Sequence, residues 1–332
     1  MPDQTLAVTA RRLRETPVIA FGAVPGYGPI FNAGLIVVDG VFHLFARGVR
    51  DGYVRNDGPG PRFLDYVSDV LVFTSEDGLD YSFQQVLGTG ADEGAQSLED
   101  PRVQRIRADG TEHVLMTYTY LPEPASGEPW QVGVHRLAYA DGRFELNPTS
   151  GRVVGPAGVP DKDAVLFNLR DGRVALIHRI HPNMQLALFD SLEHLYAADG
   201  DYWDAHMSEL DRHTLIRPAT GGLGVGAGAP PVDVDGALLL FYHERDTESR
   251  YTINVALLDA ETGVLVSVLD QPILRPELSW ERNGDVDEVV FVQGAVGRPD
   301  GTVYLTYGAA DRCVGAAEVE AAPLIGALRA AA

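Results

Sequence analysis

The stretch GLIVVDGVFHLFAR, residues 34–47, places an Asp-Gly pair between two short apolar runs. Four further stretches repeat this arrangement, with Asp-Gly at 109–110, 171–172, 235–236 and 300–301, so that the pairs follow one another at intervals of 62 to 70 residues. Asp-Gly between runs rich in Val, Leu, Phe and Tyr favours a tight β-hairpin, because the turn needs φ above zero, which Gly and Asp tolerate. The sequence therefore predicts an array of hairpins with a regular period.

A second, weaker pair of strands is predicted after each hairpin. These pairs are VLVFTSEDGLDYSF (70–83), VGVHRLAYADGRFEL (132–146), MQLALFDSLEHLYA (184–197), TINVALLDAETGVLVS (252–267) and the tail VGAAEVEAAPLI (314–325). Two hairpins make a four-stranded antiparallel blade, and five blades close into a ring with short, protected edges. We therefore predict an all-β fold, a five-bladed β-propeller, that spans residues 1–332 as one domain. The N-terminal segment 1–30 and the Ala-rich tail 320–332 are expected to close the ring or to pack on it or on a partner in a homo-oligomer.

Composition restricts the partners and the compartment. The net charge of −21 disfavours nucleic acid, which rewards a basic surface. No segment has the length of a membrane span, and the N-terminus lacks the apolar run of a signal peptide. Cys313 stands alone, so it forms no internal disulfide. These features predict a cytoplasmic protein without a nucleic-acid or membrane partner.

The hairpins also predict where a ligand would bind. In a hairpin, the start of the first strand and the end of the second are equally far from the turn, so these ends should gather at one opening of the ring. Counting from the turns places four pairs side by side: Asn32 with Arg47, Asp100 with Thr119, Asp163 with Arg179, and Gly228 with His243. Carboxylates that face cations and aromatic hydroxyls are suited to binding a sugar and protonating a glycosidic oxygen.

Several strings in this chain occur in the order found in a known family. They are FNAG (31–34), LEDPRV (98–103) with MTYTY, KDAVLF (162–167) with HR, GAGAPPV (226–232) with LLLFYH, VALLD, QPIL, and NGDVDEVVF (283–291) with YGAAD. Together they resemble glycoside hydrolase family 130, which contains β-mannoside phosphorylases and related 1,2-β-mannosidases on a five-bladed propeller. The resemblance covers roughly residues 30 to 315.

The resemblance implies roles for particular residues. Asp100 matches the single catalytic acid of an inverting reaction, in which the proton passes through the 3-hydroxyl of the bound mannose. The positions that match or adjoin the sugar-binding set are Asn32, Arg47, Lys162, Asp163 and Asp285. The candidates for holding inorganic phosphate, the co-substrate of a phosphorylase, are His178, Arg179, Tyr242 and His243. No metal or other cofactor is implied, and the expected substrate is a small oligosaccharide.

Three alternatives remain open from the sequence. YHE in place of the common YHG puts Glu244 beside the proposed phosphate site, where a carboxylate could activate water and make the protein an inverting hydrolase. A glycosidase of the arabinanase type would need Asp163 and a Glu opposite Asp100. A propeller that only binds glycans would need no acid. The Gly/Pro-rich loop 48–68 is interpreted as a lid or subunit contact.

Overall fold

The computed structural model describes residues 8–147 and 149–332. Five antiparallel sheets of four or five strands follow one another along the chain, and a short two-stranded ribbon lies in a loop of the first sheet. The predicted five-bladed β-propeller is confirmed.

Each blade runs from an inner strand outwards. Blade 1 contains Tyr27–Val38, Val41–Arg50, Ser68–Ser75 and Ser82–Gly88; blade 2 contains Ala95–Ala108, Thr111–Pro122, Gln131–Ala140, Arg143–Leu146 and Arg152–Val154; blade 3 contains Lys162–Asn168, Val174–Arg179, Met184–Phe189 and Thr214–Ile216. Blade 4 contains Gly224–Ala227, Val232–Val234, Ala237–Arg245, Tyr251–Leu258 and Leu265–Val268; blade 5 contains Val290–Gly297, Thr302–Ala309, Cys313–Glu320 and Arg11–Arg12.

The Asp-Gly turns take two forms. At 39–40, 109–110 and 235–236 both residues have positive φ, with values of 51° for Asp39 and 81° for Gly40. This is the backbone that a two-residue hairpin turn requires. At 171–172 and 300–301 only the Gly has positive φ, and the connection between the strands is longer. The hairpins were predicted correctly, and next to the turn at 171–172 the strands keep the register counted from it, with Asn168 opposite Val174.

Blade 3 departs from the predicted second hairpin. The segment after strand Met184–Phe189 forms the helices Leu192–Ala197, Gly200–Ser208 and Leu210–His213 before the outer strand begins. Ser191 caps the first helix, accepting a hydrogen bond from the backbone N–H of His194 at 3.1 Å. The apolar residues Leu192 and Leu195 are three positions apart and are buried, which is the spacing of one face of a helix. The segment therefore forms a helix instead of the predicted strand.

The two ends of the described chain meet on blade 5. The tail prediction was wrong for residues 321–325, which belong to helix Ala321–Ala330, and the fourth strand is supplied by Arg11–Arg12. Glu281, on the short helix Ser279–Arg282, is fully buried and accepts hydrogen bonds from Arg12 at 2.7 and 2.8 Å and from the Tyr307 hydroxyl at 2.9 Å. The tail helix packs on the chain's own ring through its buried leucines 324 and 328.

Five apolar clusters fill the interfaces between neighbouring blades. Because side chains alternate along a strand, each strand contributes to two interfaces. In strand Ala237–Arg245, Leu239 and Phe241 pack towards blade 5, whereas Leu240 and Tyr242 pack towards blade 3. The longest helix in the described part of the chain has ten residues, and no helix there is long and apolar enough to cross a membrane.

Candidate active site

The inner strands of blades 1, 2 and 3 carry the same irregularity at the same height. Each strand bulges near its start, and the bulge contains a non-glycine residue with left-handed backbone: Asn32 with φ of 46°, Asp100 with 51° and Asp163 with 53°. Asn and Asp adopt this conformation more readily than other side chains. The bulges change the predicted pairing, so that the direct partners are Phe31 with Arg47, Glu99 with Thr119, Lys162 with Arg179, and Gly226 with His243.

The three bulges still direct their polar side chains to one place. Asp100 is 3% exposed, and its Oδ1 accepts a hydrogen bond from Asn32 Nδ2 at 2.9 Å and lies 3.5 Å from Arg47 Nη1. The other terminal nitrogen of Arg47 contacts the Glu99 carboxylate at 2.6 Å. The structure therefore brings together Asn32, Arg47 and Asp100, as the strand-end argument predicted.

The charge on Asp100 is decided by opposing effects. Burial raises the pKa of Asp100, but Arg47, Lys162 and Arg102 outweigh burial and leave the pKa below its ordinary value. Lys162 forms no ion pair within 4.0 Å with a described residue, yet it lowers the pKa of both Asp100 and Asp163. Lys162 therefore acts electrostatically on both carboxylates.

Arg102 holds together the strands that carry the site. It is fully buried, and it donates hydrogen bonds to the carbonyl oxygens of Asp100 at 3.0 Å, Ala227 at 2.9 Å and Gly228 at 2.8 Å, and to Asp163 Oδ1 at 3.2 Å. One guanidinium group therefore ties the inner strands of three blades together. Its fixed planar set of donors makes this geometry available to Arg and not to Lys.

Asp163 forms a second cluster beside Asp100. Its Oδ2 lies 3.0 Å from Arg179 Nη1 and 3.3 Å from His243 Nε2. Burial raises the pKa of Asp163, but Arg179 and His243 hold it well below its ordinary value. Burial also lowers the pKa of His243 to about 4, so its ring is neutral at pH 7 and the guanidinium group of Arg179 carries the positive charge.

The loop 48–68 contacts the site through two tyrosines. It contains the ribbon strands Val54–Arg55 and Phe63–Leu64. Tyr53 donates a hydrogen bond to Asp285 Oδ2 at 2.7 Å, and the Arg47 guanidinium lies 5.5 Å from the centre of the Tyr66 ring. Both aromatic rings thus connect the loop to residues predicted to bind the substrate.

Two of the predicted phosphate-binding residues lie elsewhere. The His178 ring contacts Asp161 Oδ2 at 2.7 Å through Nδ1 and His206 Nε2 at 3.2 Å through Nε2, beneath the helical insertion of blade 3. Tyr242 packs towards blade 3, on the opposite face of its strand from His243. Adjacent residues on a strand point to opposite faces, so neither residue joins the Asp163 cluster.

Glu244 also differs from its predicted position. It shares the face of Tyr242, and its Oε1 accepts a hydrogen bond from the Ala219 backbone N–H at 2.9 Å. The prediction that Glu244 lies beside the phosphate-binding residues is wrong, because Glu244 follows His243 on the strand and so points to the opposite face.

Three residues of the site were missed by the sequence argument. Tyr251 stands beside His243, with ring centres 6.1 Å apart. Gln293, fully buried in the bulge of blade 5, donates hydrogen bonds to the backbone oxygens of Asn32 at 2.7 Å and Pro101 at 2.8 Å. A glutamine inside the apolar run VVFVQGAV was the available signal for it. The third residue is Asp311.

Asp311 is the last residue of YGAAD (307–311), one of the strings that carry the family resemblance. Burial raises the pKa of Asp311 to about 7, with Arg47 and Lys162 opposing the shift and Asp100 adding to it. These neighbours place the carboxyl group of Asp311 within the field of the same charges that surround Asp100. A carboxyl group with a pKa of about 7 is about half protonated at pH 7, so Asp311 can both release and accept a proton there.

Asp311 should make stability depend on pH. Its pKa is raised in the folded protein from the ordinary 3.8 to about 7, so its contribution is complete below about pH 4 and is lost as the pH rises to about 7. As the pH rises from about 4 to about 7, the wild type should lose stability that Asp311→Asn retains, because the variant has no carboxyl group to ionise. The difference in free energy of unfolding between the two proteins should therefore grow across this window and stay constant above it. Urea denaturation midpoints from pH 4 to 8 measure this, with the exposed Asp57→Asn as the control. Parallel curves for Asp311→Asn and wild type would contradict the assignment.

Comparison with known proteins identifies the family. The family model described as beta-1,4-mannooligosaccharide phosphorylase matches residues 8–329. The chain is 28% identical over 322 residues to a 1,2-beta-oligomannan phosphorylase of Thermoanaerobacter sp. (strain X514), a match that covers 94% of this chain and 98% of that protein. It is 31% identical over 296 residues to a beta-1,2-mannobiose phosphorylase of the same strain, covering 88% of this chain and 90% of that one.

A solved structure agrees on the fold. The beta-1,2-mannobiose phosphorylase from Listeria innocua, in complex with beta-1,2-mannobiose, superposes with a TM-score of 0.72 at 19% identity and covers 97% of this chain and 99% of its own. The motif strings, the five blades and the family match together show that this chain belongs to glycoside hydrolase family 130 and is an enzyme of the glycoside phosphorylase or glycoside hydrolase type.

Proposed function

We propose that this enzyme cleaves the terminal mannosyl residue of a small β-1,2-linked mannooligosaccharide by inverting phosphorolysis. The products are mannose 1-phosphate and an oligosaccharide shorter by one sugar. The names of the two sequence relatives support the linkage, since both refer to β-1,2-linked substrates. The reaction requires inorganic phosphate as the only co-substrate.

The observation that carries the proposal is the pairing of two buried sites. Asp100, held by Asn32 and Arg47, lies beside a cluster in which Arg179 and His243 contact Asp163. The first site offers a carboxyl group to a glycosidic oxygen. The second offers one fixed positive charge and one neutral imidazole, which suits an arriving phosphate that needs no base to activate it.

The proposed chemical step follows from these positions. A phosphate oxygen held at Arg179 attacks the anomeric carbon, the bond from that carbon to the glycosidic oxygen breaks, and the proton of Asp100 passes to the departing oxygen by way of the 3-hydroxyl, as the family resemblance implies. Asp100 is ionised in the free enzyme because its neighbouring cations lower its pKa. The negative charge of bound phosphate opposes those cations and raises the pKa, so Asp100 takes up its proton as the substrates bind.

Product analysis tests the reaction. Purified enzyme is incubated with β-1,2-mannobiose, and in parallel with β-1,4-mannobiose, in buffers with and without inorganic phosphate. We expect mannose 1-phosphate from the β-1,2-linked substrate only when phosphate is present. Free mannose released at the same rate in phosphate-free buffer would contradict phosphorolysis.

Arg179 should control the affinity for phosphate. Loss of a charge-assisted hydrogen bond costs about 1.5–3 kcal/mol, so Arg179→Gln should raise the KM for phosphate roughly 10- to 100-fold. The KM for the saccharide should change much less. Initial rates at varied phosphate measure the effect, and Arg173→Gln, at the turn end of the same hairpin, is the matched control. An unchanged KM for phosphate in Arg179→Gln would exclude this binding position.

Hydrolysis is the second candidate, and one observation favours it. An inverting hydrolase pairs its acid with a second carboxylate that activates water. The structure turns Glu244 away from this role, but it leaves Asp311, with its pKa raised to about 7, among the neighbours of Asp100. The same incubation decides between the reactions, because hydrolysis yields free mannose whether or not phosphate is present.

A further inference from the structure

A cavity of about 620 Å³ opens between the outer strand of blade 3 and the strands of blade 4. Its volume lies within the range of about 300–1,000 Å³ that is usual for small-molecule sites. It is on the opposite face of strand Ala237–Arg245 from His243, and neither Asp100 nor Arg179 lines it. The cavity is thus a separate feature from the proposed catalytic site.

Four polar side chains form a compact square on the blade 4 wall. Tyr242 pairs directly with Asn254, and Glu244 pairs directly with Thr252 on the neighbouring strand. Directly paired residues of antiparallel strands lie on the same face of the sheet. All four side chains line the cavity.

Two polar atoms of this square, the Tyr242 hydroxyl oxygen and the Asn254 side-chain oxygen, form no hydrogen bond with the described residues. Tyr242 is 4% exposed, and its hydroxyl forms no hydrogen bond with any of them. Asn254 is 5% exposed; its amide nitrogen donates to Thr252 Oγ1 at 3.0 Å, whereas its oxygen accepts no bond within the described chain. Neither oxygen atom is sealed from solvent, so both can form hydrogen bonds with a polar ligand in the cavity.

The charges of the cavity select the class of ligand. Three lining carboxylates, at positions 244, 246 and 270, face two arginines, at 217 and 275, which leaves a formal charge of −1 and disfavours an anion such as phosphate. Glu244 retains one carboxylate oxygen beyond its bond to Ala219, and burial raises its pKa. The remaining lining residues include Leu215, Ile216, Leu265 and Val268, an apolar surface for the C–H face of a sugar ring.

We propose that this cavity is a second carbohydrate site, which binds a neutral saccharide unit away from Asp100. Sugar hydroxyls both donate and accept, so they match the free acceptors of Glu244 and Asn254 and the hydroxyl of Tyr242. The ligand class follows from the lining chemistry alone. The choice of a mannoside as the first probe rests on the proposed function.

Equilibrium dialysis of the full-length protein tests the proposal. Labelled β-1,2-mannobiose is titrated against Asp100→Asn protein, in which turnover is suppressed, and labelled cellobiose serves as a second neutral disaccharide. We expect two sites per chain for mannobiose. Adding Tyr242→Phe with Glu244→Gln should weaken one of them by at least about 10-fold, the effect of losing one or more hydrogen bonds. Glu261→Gln, an exposed substitution in a turn of the same blade, is the control.

The outcomes separate this proposal from the proposed function. Adding Arg47→Gln instead should remove the site at Asp100 and leave the cavity site. A single site that is sensitive only to the cavity substitutions would support the second site and contradict the catalytic assignment. Tyr242→Phe removes a hydroxyl that has no hydrogen-bond partner among residues 8–147 and 149–332, so it should leave the urea denaturation midpoint unchanged. A titration with no site sensitive to the cavity substitutions, for either disaccharide, overturns the proposal.

Discussion

Asp100→Asn should reduce the turnover number for mannobiose phosphorolysis by about 10²- to 10⁴-fold, the contribution typical of a positioned general acid. The substitution removes the transferable proton but retains the side-chain shape. Asn also tolerates the left-handed backbone of this position, where φ is 51°. The loss should therefore appear in the rate, while circular dichroism continues to report a folded protein.

Asp109→Asn provides a matched control for this experiment. Asp109 has the same φ of 51° and belongs to the same blade, but it lies exposed in the hairpin turn. Its substitution tests whether any Asp→Asn change in this backbone conformation harms the enzyme. Full activity in Asp109→Asn with loss in Asp100→Asn supports the acid, whereas an Asp100→Asn enzyme that keeps most of its rate would exclude Asp100 as the general acid.

Arg102→Met should have the largest effect on stability, a loss of about 3–5 kcal/mol, because it removes one partner of a buried ion pair. Three backbone carbonyl oxygens would lose their donor at the same time, and Asp163 would keep only Arg179 and His243. The free energy of unfolding in urea measures this loss.

Two variants control the interpretation of Arg102→Met. Arg105→Met changes an exposed arginine on the same strand, paired with Glu112 at 2.9 Å, and should cost less than about 1 kcal/mol. Arg102→Lys keeps the charge but cannot reach all four acceptors, so it should fall between the two. Equal unfolding midpoints for Arg102→Met and Arg105→Met would show that the buried network contributes little.

The predictable part of this fold depends on short-range signals. Asp-Gly turns between apolar runs give a hairpin from a few neighbouring residues, and this is why the blades and the opening that holds Asn32, Arg47 and Asp100 could be predicted. The bulges at Asn32 and Asp163 could not, because an extra residue in one strand is imposed by contacts with other blades. One such contact is the hydrogen bond from Gln293 to the Asn32 backbone.

The positions of the strands along the sequence were easier to predict than the side of the sheet to which each side chain points. Side chains one residue apart on a strand lie on opposite sides of the sheet. For this reason Tyr242 and Glu244 are separated from His243. Asp311 was missed for a different reason: its raised pKa arises from burial beside charges that are distant in the sequence. Such a property depends on the assembled ring.

The strand Arg11–Arg12 has a consequence for synthesis on the ribosome. Arg12 is 269 residues before its partner Glu281, so at about 5–20 residues per second it leaves the ribosome tens of seconds before that partner exists. The strand with which it pairs in the folded protein, Cys313–Glu320, is synthesised later still. Its shortness and its two positive charges reduce the risk that it joins a neighbouring nascent chain instead.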